Sequence, residues 1–529
     1  WCQYPARAAW LVEKVGIHRP ENTACRALQA WRNQFHTDKL VMIFPTMYMD
    51  NPASLFGHTF LRFDAADTDK HPVLLSRALS YYADVLSAGN TVNYILQGLV
   101  GGFDGVFEVR HYFEKIRKYS DNEDRDIWEY ELDLSPNQIQ RLIDHAWEVR
   151  GHTFHYFFLD ENCSYRLIAM LDTVVAPYTM RSAFVADVMP LDTIHVLRES
   201  HLIRKATYVP SAAKWFFKAE RALTPEERQV MQSFIAGDVP VEALGQPNVV
   251  AVASQYKALQ MRKDVEHRAQ HAQQLNALLQ QSAVLVDSQT DNNVAIDEPS
   301  YISTDDRVLD PTVAGHGTHR VRVGWMMDDG KAFTTMGARL AYHDESDPLP
   351  GFEPGVQLEA LDAQWRFNDG DVELDHITWF SVVSRKPRND YFKPASWGIH
   401  LARRREMLGD AMPLVNAVDG ERGVSYNCGA FLCYAELTGS VIGGGAVDQG
   451  WALGAGGRIG ALYQSNDWSL NILSGEQVYW QGESHQLHYS TVEWGYRLDK
   501  NLSWTTGYNV QDNGDNRREI FSAGIRYFF

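Results

Sequence analysis

The sequence predicts two architectures in series: an α+β domain with helical accessory segments, then an antiparallel transmembrane β-barrel of about ten to twelve strands. Three observations predict it. Residues 38–200 mix strand-like aromatic runs with amphipathic helices. Residues 319–529 carry long segments of alternating polar and apolar residues joined by short turns. No apolar run reaches the roughly eighteen residues that a membrane-crossing helix needs.

The chain has 529 residues, 45% of them hydrophobic, which is ample core material. Its net charge of -18 makes it a poor general ligand for nucleic-acid phosphate. No zinc-finger spacing and no glycine-rich phosphate loop occurs, so neither a metal nor an organic cofactor is implied. The chain begins at Trp1 without Met, which fits a removed signal peptide. Cysteine at position 2 rather than 1 argues against a lipoprotein anchor. Cys2 and Cys25, and Cys428 and Cys433, read as two local disulfides with Cys163 left as a free thiol, a pattern suited to an oxidising compartment. The rival reading is five unpaired cysteines in a reducing cell.

Taken in order, residues 1–37 read as a small helical segment, "ARAAWLVEKVG" and "ACRALQAWRNQF" around the breaker "IHRPENT". Residues 38–200 form the thiol-bearing domain. "KLVMIFPTMYM", "GHTFLRFD", "PVLLSRALSYYAD" and "RDIWEYELDLS" read as strands. "QGLVGGFDGVFEV" reads as a glycine-rich loop leading into another. Ser135, Pro136 and Gln138 mark a capped helix with a stripe of Ile139, Leu142, Ile143, Ala146 and Trp147. A second helix starts near Cys163. Residues 201–318 are helical and linking, with Thr224 and Glu227 as a cap pair and one long polar helix from Val252 to Leu279.

Residues 319–529 form the barrel. In the last strand Phe521, Ala523, Ile525, Tyr527 and Phe529 share one face, and Ser522, Gly524 and Arg526 the other. A soluble sheet shows the same alternation. Strand length, aromatics near strand ends and the lack of core-sized helices favour a barrel in lipid, where closure satisfies every backbone group. The rival is a soluble β-sandwich or barrel whose Trp and Tyr are core or carbohydrate-stacking residues. The terminal Phe529 resembles the end signature of Gram-negative outer-membrane proteins.

The chemistry centres on "YFFLDENCSYRLIAMLD", Tyr156 to Asp172. Cys163 falls in the first turn of a helix, where free amides favour a thiolate and can stabilise an oxyanion. Asp160 or Asn162 can cap the helix. Glu161 opposes the thiolate, so the cysteine needs a base. His58, in "ASLFGHTF", is the candidate: a strand holds its ring and Gly57 permits close approach. Read singly, Cys163 is more often a buried apolar residue and His58 a structural one. His71, His145, His152 and His155 compete as bases. Candidates for orienting the base or shaping the oxyanion site are Ser76, Tyr81, Asn162 and Tyr156, each equally suited to caps or packing. Gly98, Gly101, Gly102 and Gly105 form either a mobile pocket rim or a loop.

The segments "NPASLFGHTFLRF", "GLVGGFDGVFEV", "DRDIWEYELDLS" and "YFFLDENCSYRLIAMLD" resemble the periplasmic-domain family named for the lipoprotein N-acyltransferase Lnb. The resemblance covers about residues 40–200. It implies a permuted papain-like or NlpC/P60-like fold, with His58 in the family's "GH" motif and Cys163 in its "NC" motif. The namesake joins this domain to membrane helices, and this chain joins it to strands, so the substrate does not carry over.

The function expected is thiol-dependent acyl transfer or acyl hydrolysis on a lipid, lipoprotein or other envelope ester or amide. The site would lie at the periplasmic face of a Gram-negative outer membrane, with outer-membrane lipid as partner. The enzyme alternative is a cysteine amidase or peptidase acting on peptidoglycan or peptide. The non-enzyme alternative is an envelope-binding or transport barrel.

Overall fold

The computed structural model describes residues 1–18, 24–49, 55, 57–67, 70–84, 97–98, 101–177, 179–184, 187–287, 309–481 and 484–529. By its contacts the chain divides into two units. The first is Trp1–Tyr48, Gly57–Phe184 and Glu199–Val308; the second is Met49–Phe56, Val185–Arg198 and Leu309–Phe529.

The first unit is built on a seven-stranded antiparallel sheet. Its strands are β1 (Lys39–Pro45), β2 (Phe60–Asp64), β3 (Arg77–Asp84), β4 (Phe103–His111), β5 (Ile127–Leu132), β6 (Thr153–Tyr156) and β7 (Ile203–Val209). Their order is β6-β4-β3-β2-β1-β5-β7. Leu40, Met42 and Phe44 alternate along β1 with Val41 and Ile43, and all five are buried. Both faces of the sheet are therefore covered at its centre, while the outer strands β4, β6 and β7 are partly exposed. One face holds Ile43, Phe60, Tyr112, Tyr119 and Ile127 in a single cluster. "PVLLSRALSYYAD" is only partly a strand: Val73–Leu75 forms a short 3-10 turn before β3 begins.

Helices α1 (Pro5–Val15) and α2 (Arg26–Arg32) are tied by the Cys2–Cys25 disulfide. They dock on α3 (Pro136–Val149), where Trp31 Nε1 donates to the Ile143 carbonyl at 3.1 Å and Arg32 pairs with Asp144 at 2.6 Å. The expected stripe of α3 is buried, and Ser135 and Gln138 close a reciprocal capping box. Helix α4 is Cys163–Leu171. It packs on β2 and β3, and its Leu167, Ile168, Met170 and Leu171 are buried.

The single long helix expected from Val252 to Leu279 is instead two, α8 (Pro247–Lys263) and α9 (Arg268–Asp287), packed on each other. Between α4 and α8 lie α5 (Pro190–Glu199), α6 (Ala212–Arg221) and α7 (Pro225–Ala236). The break after α8 has a local cause. Asp264 accepts from the His267 backbone N–H at 3.1 Å, the side-chain competition that ends one helix and starts another.

The second unit is a closed barrel of twelve antiparallel strands, from β8 (Arg320–Asp328) to β19 (Arg517–Phe528), each nine to fifteen residues long. β19 pairs with β8, and His319 and Phe529 exchange both backbone hydrogen bonds at 3.1 Å to complete the seam. Along β8, Val321, Val323, Trp325 and Met327 are exposed while Arg320, Met326 and Asp328 are buried. Apolar side chains thus face outward and ionic ones inward, the reverse of a soluble barrel and the pattern lipid demands. No helix among the described residues is long and apolar enough to cross a membrane. Cys428 and Cys433 are joined across the turn between two barrel strands, β13 (Leu414–Cys428) and β14 (Phe431–Gly443).

The connection from β9 (Lys331–His343) to β10 (Val356–Asn368) packs within the barrel. Asp344, Glu345, Ser346 and Asp347 are buried. Asp347 is held by Arg339 at 2.6 Å, Arg320 at 2.9 Å and Arg526 at 3.1 Å. Ser346 bonds Glu493 at 2.9 Å and its carbonyl accepts from Ser469 at 3.2 Å; the Glu345 carbonyl accepts from Gln464 at 3.0 Å. These partners sit on opposite walls, so the loop crosses the lumen.

Candidate active site

Helix α4 begins at Cys163 because Asn162 ends the preceding loop in extended backbone and turns its side chain onto the helix. Asn162 Oδ1 accepts from the backbone N–H of Ser164 at 3.0 Å and of Tyr165 at 3.2 Å. Its Nδ2 donates to the Phe158 carbonyl at 3.2 Å. Both ends of this amide are therefore spent on fixing the helix start. Removing such a cap typically costs about 1 kcal/mol.

His58 precedes β2. Gly57 adopts φ +93°, and a Cβ there would fall 2.9 Å from the Phe44 ring, so glycine lets the chain turn closely over that ring. Two contacts join this turn to the helix. The backbone N–H of Thr59 reaches the Cys163 sulfur. Thr59 Oγ1 lies 2.9 Å from Ser164 Oγ. The Tyr156 hydroxyl also reaches the sulfur, and Ser164 Oγ lies 3.7 Å from it.

The His58 ring is buried against Tyr119 (centroids 5.7 Å) and Phe60 (6.2 Å). It makes no hydrogen bond among the described residues, to Cys163 included. Burial drives its pKa well below the ordinary histidine value, and the cations Arg125, Lys115 and Lys118 push the same way. Burial raises the Cys163 thiol, against the pull of the Thr59 amide and the Ser164 and Tyr156 hydroxyls. At neutral pH the structure thus holds a neutral thiol and a neutral imidazole.

The other candidates separate. Tyr156 stacks on Tyr81 with centroids 5.6 Å apart, and burial pushes the Tyr81 phenol up to about 12. Tyr81 Oη donates to the His155 carbonyl at 3.4 Å. Tyr81 therefore reaches the sulfur only through Tyr156. Ser76 lies at the far end of β3, where its carbonyl accepts from Tyr112 N–H at 2.9 Å; the structure does not bring it to Cys163. Among rival bases, His71 stacks on His36 at 4.6 Å, His145 faces Glu148 at 3.4 Å, and His152 and His155 are exposed. Glu161 forms an ion pair with Arg166, which offsets its charge beside the thiol.

Three of the four glycines are a packing surface for aromatic rings, while Gly102 lies against Gln97, whose Cβ would be 3.2 Å from an added methyl carbon. A Cβ at Gly98 would come within 2.3 Å of the Phe158 ring, one at Gly101 within 2.3 Å of Phe157, and one at Gly105 within 1.9 Å of Tyr81 Oη.

Four residues of the site were not singled out by sequence reasoning: Thr59, Ser164, Tyr119 and Arg125. The hydroxyls in "GHT" and "NCS" were a legible signal, since each follows a candidate catalytic residue. Arg125 was not, because "DNEDR" reads as a solvated run. It is fully buried, donating to the carbonyls of Pro45 (2.7 Å) and Thr46 (2.6 Å), pairing with Glu123 (3.0 Å) and lying 4.9 Å from the Tyr119 ring centroid.

Elsewhere, in the barrel unit, His316, His343 and Asp347 bring ligand-type atoms within 4.8 Å of one another. The three guanidinium groups on Asp347 oppose a cation there, and His316 Nε2 is already bonded to His343 Nδ1 at 3.0 Å.

Residues 27–200 match the model of the Lnb N-terminal periplasmic domain. Residues 310–528 match a Domain of unknown function (DUF7840). No curated protein matches the chain. Among solved structures, the NanC porin is similar at 7% identity, covering 40% of this chain and 100% of its own, with a TM-score of 0.26. The KdgM porin in complex with disordered oligogalacturonate is similar at 13% identity, covering 40% and 99%, with a TM-score of 0.24. The Acinetobacter baumannii outer membrane protein Omp33 is similar at 11% identity, covering 41% and 100%, with a TM-score of 0.24. These three likenesses are too weak to bear on mechanism. The chain joins a periplasmic Lnb-type N-terminal domain to an outer-membrane-type β-barrel.

Proposed function

We propose that the N-terminal unit is a permuted papain-like thiol enzyme that transfers or hydrolyses acyl groups of envelope lipids, lipoproteins or related esters and amides. The observation that carries this reading is the join between the His58 turn and the Cys163 helix start. The hydroxyl of Thr59, the residue after His58, lies 2.9 Å from that of Ser164, the residue after Cys163, so a nucleophile and a neutral base lie on directly contacting segments.

In the proposed reaction His58 takes the Cys163 proton as the thiolate attacks the substrate carbonyl carbon. The carbonyl oxygen becomes an oxyanion, for which the Thr59 amide and the Tyr156 hydroxyl are candidate donors. Collapse breaks the bond to the leaving oxygen or nitrogen, which takes the proton from imidazolium and leaves an acyl thioester on Cys163. Water or an amine then gives a proton to His58, attacks the thioester and releases the acyl product and the thiol. A low imidazole pKa suits the first step, because His58 is unprotonated at neutral pH and can accept.

The burial of Cys163, at 4% exposure, and the absent His58 contact favour a second reading, a binding module with an inert thiol. Incubating intact envelope with the wild-type chain and with Cys163→Ala, then identifying adducts by mass spectrometry, separates the two. An acyl mass on Cys163 supports the enzyme. No adduct from acyl or peptide electrophiles supports the binding module.

A further inference from the structure

The barrel encloses a cavity of about 430 Å³, within the range of small-ligand sites. Gln357, Glu359 and Ser381 line one part of it. Glu359 also meets Arg339 at 3.3 Å, and Arg339 holds Asp347, so the cavity adjoins the clamp on the lumen-crossing loop.

The arginines lining this cavity are each held in ion pairs, some with carboxylates outside the lining. Arg404 pairs with Glu406 at 3.1 Å and with Asp419. Arg458 pairs with Glu436 at 2.9 Å and with Glu421. Arg405 pairs with Glu373 at 3.0 Å. Glu421 also meets Arg385 at 3.3 Å and His400 at 3.4 Å. A charged ligand would have to break one of these pairs and leave its partner uncompensated.

Six buried atoms lining this cavity have no hydrogen-bond partner among the described residues; three, His400 Nε2, Arg405 Nε and Arg458 Nη2, belong to cationic side chains already held in ion pairs, and the other three belong to neutral amides. These three are Gln477 Nε2, Asn509 Oδ1 and Gln511 Oε1. Gln477 is 6% exposed, and its Oε1 is occupied by the Thr438 hydroxyl at 2.8 Å. Asn509 Nδ2 is likewise occupied, donating to Thr491 Oγ1 at 2.8 Å. Strand pairing puts the three on one stretch of wall. Gln477, on β16 (Trp468–Gln481), is opposite Leu487 of β17 (His485–Asp499). Asn509 and Gln511, on β18 (Leu502–Asp512), are opposite Thr491 and Tyr489 of β17. Uncharged donors and acceptors side by side are answered by hydroxyl groups, each of which can donate and accept.

We propose that the barrel interior is a binding site for a neutral polyhydroxylated ligand, a mono- or disaccharide by chemical class, held by Gln477, Asn509 and Gln511. This site is independent of the Cys163 chemistry. The test is equilibrium binding of maltose and of chitobiose to the full chain in detergent, with digalacturonate as the anionic comparison. Saturable binding of a neutral disaccharide is expected, weakened roughly three- to tenfold by Gln477→Ala and by Asn509→Ala, the loss of one hydrogen bond each. Gln477→Glu keeps the side-chain volume and should weaken binding likewise, while unheated gel migration reports that each variant retains its barrel. The proposal is overturned if neither neutral disaccharide saturates, if digalacturonate binds more tightly than both, or if the variants bind like the wild type.

Discussion

The hydroxyls of Thr59 and Ser164 lie 2.9 Å apart in a buried hydrogen bond, and each belongs to the residue after a candidate catalytic side chain. Thr59→Val keeps the shape and removes one partner, leaving the Ser164 hydroxyl buried. It should destabilise the N-terminal unit by about 1–3 kcal/mol in chemical denaturation. Ser164→Ala on top of it should restore part of that loss, since neither polar group then remains alone. Additive effects in the double-mutant cycle would show that the two hydroxyls do not interact.

The thiol and the imidazole titrate in opposite directions, and each has its own pH limb. Burial raises the Cys163 pKa, so the thiolate forms only above the ordinary range of about 8.5. Alkylation of the resting protein by iodoacetamide should therefore climb with pH, with a midpoint beyond that value. A plateau extending down to mildly acidic pH would instead indicate a preformed thiolate–imidazolium pair.

His58 is neutral in the folded chain because burial depresses its pKa. Below about pH 6.5 the unfolded chain gains a proton that the folded chain refuses. Stability should be fully present above that pH and fall as the medium is acidified through the folded value. His58→Gln should flatten this acid limb in pH-dependent melting of the full chain. An unaltered limb would assign it to other groups.

Much of this was legible beforehand, for physical reasons that differ by element. The α3 boundary was readable because Ser135, Pro136 and Gln138 each have a specific role at a helix start. The barrel was readable because lipid outside and charge inside impose a strict two-residue period, as along Val321, Val323, Trp325 and Met327. The Cys163 helix start was readable from the asparagine before it. The Arg125 contribution was not, because a lone arginine in an acidic run gives no sign that backbone carbonyls from β1 and the residue after it will surround it. Nor was the lumen-crossing loop: "DESDPLPGFEPG" has the composition of a solvated turn, and only the inward arginines of distant strands bury it.

The glycine run before the thiol supports packing. Gly105→Ala would place a methyl carbon 1.9 Å from Tyr81 Oη, a clash relieved only by displacing Tyr81 from the Tyr156 ring it stacks on. A loss of about 1–3 kcal/mol is expected, as for other overpacked sites. Slower alkylation or acylation of Cys163 should accompany it, because Tyr156 reaches the sulfur. Wild-type stability with altered substrate turnover would return Gly105 to the role of a mobile rim.

The loop crossing the lumen bears on whether the barrel conducts. Asp344 is bonded by Arg339 at 3.2 Å and Arg526 at 3.2 Å, Asp347 by three arginines, and Ser346 by Glu493. A Cβ at Gly495 would fall 2.5 Å from the Ser346 carbonyl oxygen, so the loop backbone is pressed on the wall. Ions meet a strand of protein fixed by several buried charged contacts, and opening it would strand those charges without partners. In planar bilayers the wild-type chain should show no resolved conductance steps. Replacing Ser346–Phe352 by Gly-Ser-Gly removes the obstruction together with Asp347, leaves Asp344 as a carboxylate partner for Arg320, Arg339 and Arg526, and should produce discrete steps. Equal conductance in both chains would mean that current passes beside the loop.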